Sequence, residues 1–262
     1  MNAALDPRGG EPLTGLGDIA VAMWAQAESR KLAAQLDRAG IPLLLLKGPD
    51  LQRRLYGTPA AYRSGDVDVL VPRDRGAAAR RVLIGNGWEF ERANGLLYRR
   101  SAQATYSRDG FRVDLHWGIL AAHLAARSLR PLEQALWKGA TRGPSGMLEP
   151  TPESLFVFLA VHVVGHRFER PKWKENVDRA AVLVTDWDAV GRIANEGHVR
   201  GAVEAALEGR PSGTRRAVLD GARGRVVSAA TWASRGYFIP SGVRGWVRGA
   251  VAGVRARRFT GS

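Results

Sequence analysis

An α+β core followed by a helical stretch is the fold class that this 262-residue sequence predicts, and three observations carry the prediction. Residues 41–71 run strand, glycine turn, helix, strand. Residues 88–119 break into short aromatic and β-branched segments separated by turn signals. After about residue 120 strand signals fade, and apolar residues recur at helical spacing instead.

In chain order, DIAVAMWAQAESRKLAAQLDR (18–38) has apolar positions at helical spacing behind Asp18, with Gly40 as a stop, and predicts a helix. IPLLLLKG reads as a short buried strand ending at a glycine, and PDLQRRLYG as a helix that Pro49 begins. A second strand is expected over 65–71, then a helix in RDRGAAARRVLIGNG closed by glycine. WEFERA, LLYRRS, ATYSRDG and FRVDLHWGI read as an antiparallel run of four strands, with Asp109-Gly110 as a turn. RGPSGMLEPTP (142–152) is the best linker candidate. The expected organisation is an N-terminal helical segment (1–40), a mixed-sheet α+β core with flanking helices (41–140), a helical domain (141–209) and a basic helical region rich in Arg and Gly (210–262).

Composition narrows the chemistry. With no cysteine, disulfides, thiolate nucleophiles and Cys-ligated zinc are excluded, so any metal must be held by Asp, Glu or His. The N-terminus carries an early acid and no apolar h-region, and the longest apolar run, LFVFLAVHVVG, is about half the roughly 20 residues of a membrane span. A cytoplasmic protein without a membrane span is expected. The net charge of +14 is concentrated at one end: residues 210–262 hold eleven arginines against one acid, Asp220, hence +10. That region, with Trp232 and Trp246, reads either as a contact surface for RNA or another polyanion or as a solvated helical face.

The acids pose the sharper question. In RSGDVDVLVP, Asp66 and Asp68 alternate with Val67 and Val69, so both acids share one strand face. In FRVDLHW, Asp114 shares a face with Arg112 and His116. If the two strands are neighbours, three carboxylates converge, and such a cluster calls for a cation. Three carboxylates suit a hard divalent ion, Mg²⁺ or Mn²⁺. His162 and His166 have the spacing of metal ligands, but their apolar neighbours mark them as packing residues. Arg167, Lys172 and Lys174 read as a basic rim or as a solvated helix face, and Asp178 as a residue that orients the second domain.

The ordered set LLLLKGPDLQRRLYG, RSGDVDVLVP and RVDLHWGIL resembles the nucleotidyltransferase superfamily related to DNA polymerase β, and within it the uncharacterised nucleotidyltransferase family. The resemblance covers residues 41–117 and, more loosely, HRFERPKWKENVDRAAVLV. It implies that Asp66, Asp68 and Asp114 are the catalytic, metal-holding acids, and that Asp114 helps to deprotonate the acceptor. Lys47, Gly48, Arg63, Ser64 and His116 are the implied nucleotide-binding residues. Where the superfamily has Gly-Ser at the turn, this chain has Gly48-Pro49, so Lys47, Arg63 and Ser64 must supply what the serine hydroxyl would. The implied activity is Mg²⁺-dependent transfer of an NMP from an NTP to a small molecule, a peptide or RNA. The alternative is a polyanion-binding protein on a degenerate transferase fold.

Overall fold

The computed structural model describes residues 16–62, 66–91, 103–119, 129–165 and 170–209. Its centre is a seven-stranded mixed sheet in the order β3-β4-β5-β2-β1-β7-β6. The strands are β1 (Leu44–Lys47), β2 (Asp66–Leu70), β3 (Glu89–Glu91), β4 (Gln103–Arg108), β5 (Phe111–His116), β6 (Thr141–Arg142) and β7 (Leu148–Glu149). Eight α-helices accompany them among the described residues: α1 (Leu16–Arg38), α2 (Pro49–Tyr56), α3 (Gly76–Gly85), α4 (Arg130–Trp137), α5 (Pro152–Gly165), α6 (Pro171–Leu183), α7 (Trp187–Glu196) and α8 (Arg200–Leu207).

The apolar positions of the central strands pack into the core, where Leu44, Val67, Val69, Leu70, Val113 and Leu115 are fully buried, while the other face of β2 and β5 carries the acids. β4 and β5 form a hairpin through Asp109 and Gly110, both at positive φ as a tight two-residue turn requires. α2 begins at Pro49 and stops at Gly57, whose left-handed conformation lets its N–H reach the Arg53 carbonyl at 2.9 Å. α5 is apolar nearly all round and lies at the middle of the helical part, packed by α4, α6, α7 and α8. α6 is tied back to α2 through a 2.7 Å hydrogen bond between Tyr56 and Asn176 and the Arg179 guanidinium over the Tyr56 ring, and to the segment after α2 through a short Tyr62–Glu175 contact.

One expectation fails. The stretch read as a linker, 142–152, is not one: β7 pairs in parallel with β1, Leu44 opposite Leu148, and β6 pairs with β7, so the sheet continues past residue 140. Two-residue strands are too short to show alternation, and only the long-range ladder reveals them. Of the four expected strands over 88–119, three are present, and LLYRRS lies outside the described residues. The same holds for residues 210–262, Arg63, Ser64, His166 and Arg167. Among the described residues, no helix is long and apolar enough to cross a membrane.

Candidate active site

β2 and β5 are parallel neighbours in a register that sets Asp66 opposite Arg112, Asp68 opposite Asp114 and Leu70 opposite His116. The alternation read from each strand therefore adds up across the ladder. Asp66, Asp68 and Asp114 each present a carboxylate oxygen within 4.8 Å of the others'. Asp66 lies at the exposed outer end of β2, whereas Asp68 is buried at 7% exposure.

Electrostatics separate the three acids. Although solvent reaches Asp66, the protein packed around its carboxyl, then the neighbouring Asp68 charge, pushes it above its usual range. The same two causes push Asp114 up to about 7, although Thr105 Oγ1 donates a 2.5 Å hydrogen bond to its Oδ1. Burial also opposes ionisation of Asp68, but Lys47 and then His116 override it and hold this carboxyl well below the usual range. Lys47 Nζ is 2.5 Å from Asp68 Oδ2. The sequence predicts a cation as the neutraliser of this face, and Lys47 provides part of that charge.

His116 lies on the same face, its Nε2 buried without a hydrogen-bond partner and 4.0 Å from Asp68 Oδ1. Burial pushes the imidazole down to about 4, so it is neutral at pH 7. Gly48 follows Lys47 at φ 128°, and a Cβ there would come within 2.8 Å of Val67 Cγ2. Only glycine lets the turn approach β2 between its two aspartates.

The helical part reaches the same face. His162 of α5 is close enough to Asp68 for its charge to favour the carboxylate, and it meets the Trp173 ring edge-on at 5.0 Å between centroids. It thus packs against Trp173 and also lies within electrostatic reach of the acid face. Burial, then Arg170, lowers the pKa of Lys172 in the first turn of α6, and Lys172 feels both Asp66 and Lys47. Of the basic rim, Lys172 is thus brought to the acids, while Lys174 is engaged by Asp178 on its own helix. Thr105 escaped the sequence reading, yet a signal existed. With a two-residue turn at 109–110, hairpin pairing sets residue 105 opposite 114.

The acid face and its glycine turn invite comparison with known proteins. No curated protein matches the sequence. Among solved structures, the antibiotic-resistance factor ANT(2'')-Ia, in solution, is similar at 12% identity and a TM-score of 0.44, over 72% of this chain and 97% of that one. An antigenic nucleotidyltransferase-like protein from Paracoccidioides brasiliensis is similar at 15% identity and a TM-score of 0.44, over 76% of this chain and 96% of that one. The profile of the family described as uncharacterised nucleotidyltransferase matches residues 20–208, which include every strand of the sheet and both acid strands. The chain belongs to that nucleotidyltransferase family.

Proposed function

We propose that the protein is a Mg²⁺-dependent nucleotidyltransferase that moves an NMP from an NTP to an acceptor nucleophile and releases pyrophosphate. The observation that carries this reading is the register of β2 against β5, which gathers three carboxylates within 4.8 Å. The donor set fits the ion: two of the three carboxyls are pushed toward the protonated form without a cation, and hard oxygen ligands are what Mg²⁺ takes. Asp66, Asp68 and Asp114 would hold the metal, in a two-ion arrangement as the resemblance implies. Bound Mg²⁺ would neutralise charge on the transferring phosphoryl group and make an acceptor hydroxyl easier to deprotonate.

The chain's own residues do the rest. Thr105 fixes the Asp114 carboxyl, the group that the resemblance implies helps to deprotonate the acceptor. Lys47 and Lys172 bring cations to the acid face from the sheet and from the helical part, where a triphosphate needs them. Gly48 lets the turn between β1 and α2 pass close to β2 at Val67, directly after Lys47. His116, neutral and buried, offers one nitrogen to the nucleotide's polar edge. Arg63 and Ser64 join this set by their place in the sequence; a small molecule or peptide is the first acceptor to try, and the arginine-rich residues 210–262 keep RNA beside them.

The test is incubation with Mg²⁺, each α-labelled NTP and a cell extract separated into RNA, protein and small molecules. One fraction should take up label with the wild type and not with Asp66→Asn or Asp68→Asn. If no fraction takes label with any NTP, the chain is instead a binding protein on a transferase fold. Label in RNA that survives deletion from residue 210 would remove the tail from acceptor binding.

A further inference from the structure

The pairing of β1 with β2 contains an irregularity with a chemical consequence. Leu44 lies opposite Leu70 and Leu45 opposite Val69, so a regular antiparallel ladder would set Leu46 opposite Asp68. A bulge between Leu45 and Lys47 sets Lys47 there instead. Residues opposite one another share a sheet face, so the bulge turns a lysine onto the acid face where a leucine would have pointed. Its ammonium ends 2.5 Å from Oδ2 of Asp68, the acid that the ladder places between β1 and Asp114.

We propose that Lys47 is the site's resident counter-ion, which occupies Asp68 in the metal-free protein and is displaced from it when a divalent cation binds, freeing the ammonium for the triphosphate. This inference rests on the reading of the acid trio as a metal site. Oδ2 of Asp68 cannot serve the ammonium at its present distance and a divalent ion together, because the two cations would be pressed against each other in a poorly solvated place. The backbone of Lys47 is held in the β1–β2 ladder opposite Asp68. The side chain can move. It is partly exposed, at 28%, on a flexible four-carbon stem. Metal and nucleotide binding are then coupled through one residue: the metal releases the cation that the triphosphate uses. Nucleotide alone must pull Lys47 away from an uncompensated Asp68, and metal alone must displace it without the phosphates to receive it.

The experiment follows the wild-type chain by acetylating it with an N-hydroxysuccinimide ester and measuring Lys47 against the exposed Lys138 by mass spectrometry, with Mn²⁺ binding recorded in parallel by electron paramagnetic resonance. Bound Mn²⁺ should raise the acetylation rate of Lys47 several-fold relative to Lys138, and ATP added to the Mn²⁺ form should suppress it again. If Mn²⁺ binds while Lys47 reactivity stays level or falls, the counter-ion role is overturned and the metal site stands. If the wild type binds no Mn²⁺, metal site and counter-ion role fall together. A variant gives the second arm. Lys47→Met should bind Mn²⁺ about tenfold more tightly in the absence of nucleotide, as expected when one competing charge is removed, whereas Lys47→Arg should not. Unchanged or weaker Mn²⁺ binding by Lys47→Met would contradict displacement.

Discussion

Two charged clusters flank the start of α2, and they are built on opposite principles. Behind the helix, Asp50 and Glu149 meet Arg53 and Arg54: two acids, two guanidiniums. Asp50 is buried at 1% exposure and accepts from Gln26 Nε2 at 2.9 Å, while Arg54 also donates to the Pro150 carbonyl at 2.7 Å. In front, Asp66, Asp68 and Asp114 have Lys47 in close contact and a neutral histidine, with Lys172 and Arg112 acting through space on Asp66. The first cluster balances its charge within the chain and ties α2 to β7. The second does not balance, and two of its three carboxyls are driven toward protonation. Buried charge that is matched locally is explained by structure alone, whereas unmatched charge needs something brought from outside.

Removing a charge from each cluster should therefore have opposite consequences. The largest effect is expected in front. Asp114→Asn should keep most of the Mg·NTP affinity, which Asp66 and Asp68 can sustain, yet lose about 10²-fold or more in turnover, equivalent to about 2.7 kcal/mol or more. The same variant should be slightly more stable than the wild type without metal, because one repelling carboxylate is gone. Calorimetric nucleotide binding beside single-turnover label transfer measures the first part, and urea unfolding the second. Wild-type turnover in this variant would take Asp114 out of the chemistry.

Behind the helix the sign reverses. Asp50→Ala strips Gln26 of a buried acceptor and Arg53 of an ion-pair partner 3.7 Å away, and should cost about 2 kcal/mol of stability, the range for losing a buried hydrogen bond to a charged group. Its metal affinity should match that of the wild type once folded. A variant as stable as the wild type would mean that the rear cluster contributes nothing as a unit.

How much of this was open to a reader of the sequence depends on range. Alternation in DVDVL and VDLH places the acids on faces, and the order strand, glycine, helix, strand is visible in local residue types. The α+β class and the helices 18–38 and 49–56 follow from local spacing, and the structure has them within two residues. What local spacing cannot supply is register between distant strands. That Asp68 meets Asp114 and not Arg112, that a bulge turns Lys47 onto the acids, and that Leu148 closes on Leu44 are facts of the ladder. Lys172 and His162 arrive from helices about a hundred residues after β2. Their sequence neighbours give them apolar or solvated surroundings, and only tertiary packing brings them to Asp66 and Asp68.

A smaller effect concerns pH in the metal-free protein. Asp114 is raised to about 7, so between about pH 4 and 7 the folded state holds a proton that the unfolded state has lost, and stability falls as pH rises through that window. Asp66, also raised, acts with the same sign. His116 is lowered to about 4, so the unfolded state gains a proton that the folded state refuses, and stability rises with pH from about 4 to 6.5. The opposing slopes should leave the wild type with a shallow dependence. Asp114→Asn should unmask the histidine, its melting temperature climbing from pH 4 to 6.5 more steeply than that of the wild type. Parallel profiles would mean that the acids and His116 are not opposed as described.

The central claim is that the unbalanced face exists to hold a divalent cation with a nucleotide. Thermal unfolding of the wild type, Asp66→Asn and Asp68→Asn, each with and without Mg²⁺ plus ATP, tests it most directly. A ligand present at a hundred times its dissociation constant adds about 2.7 kcal/mol to the folded state. A clear upward shift is expected for the wild type, strongly reduced in both variants. The same shift in all three proteins would place the metal and nucleotide elsewhere and contradict the account.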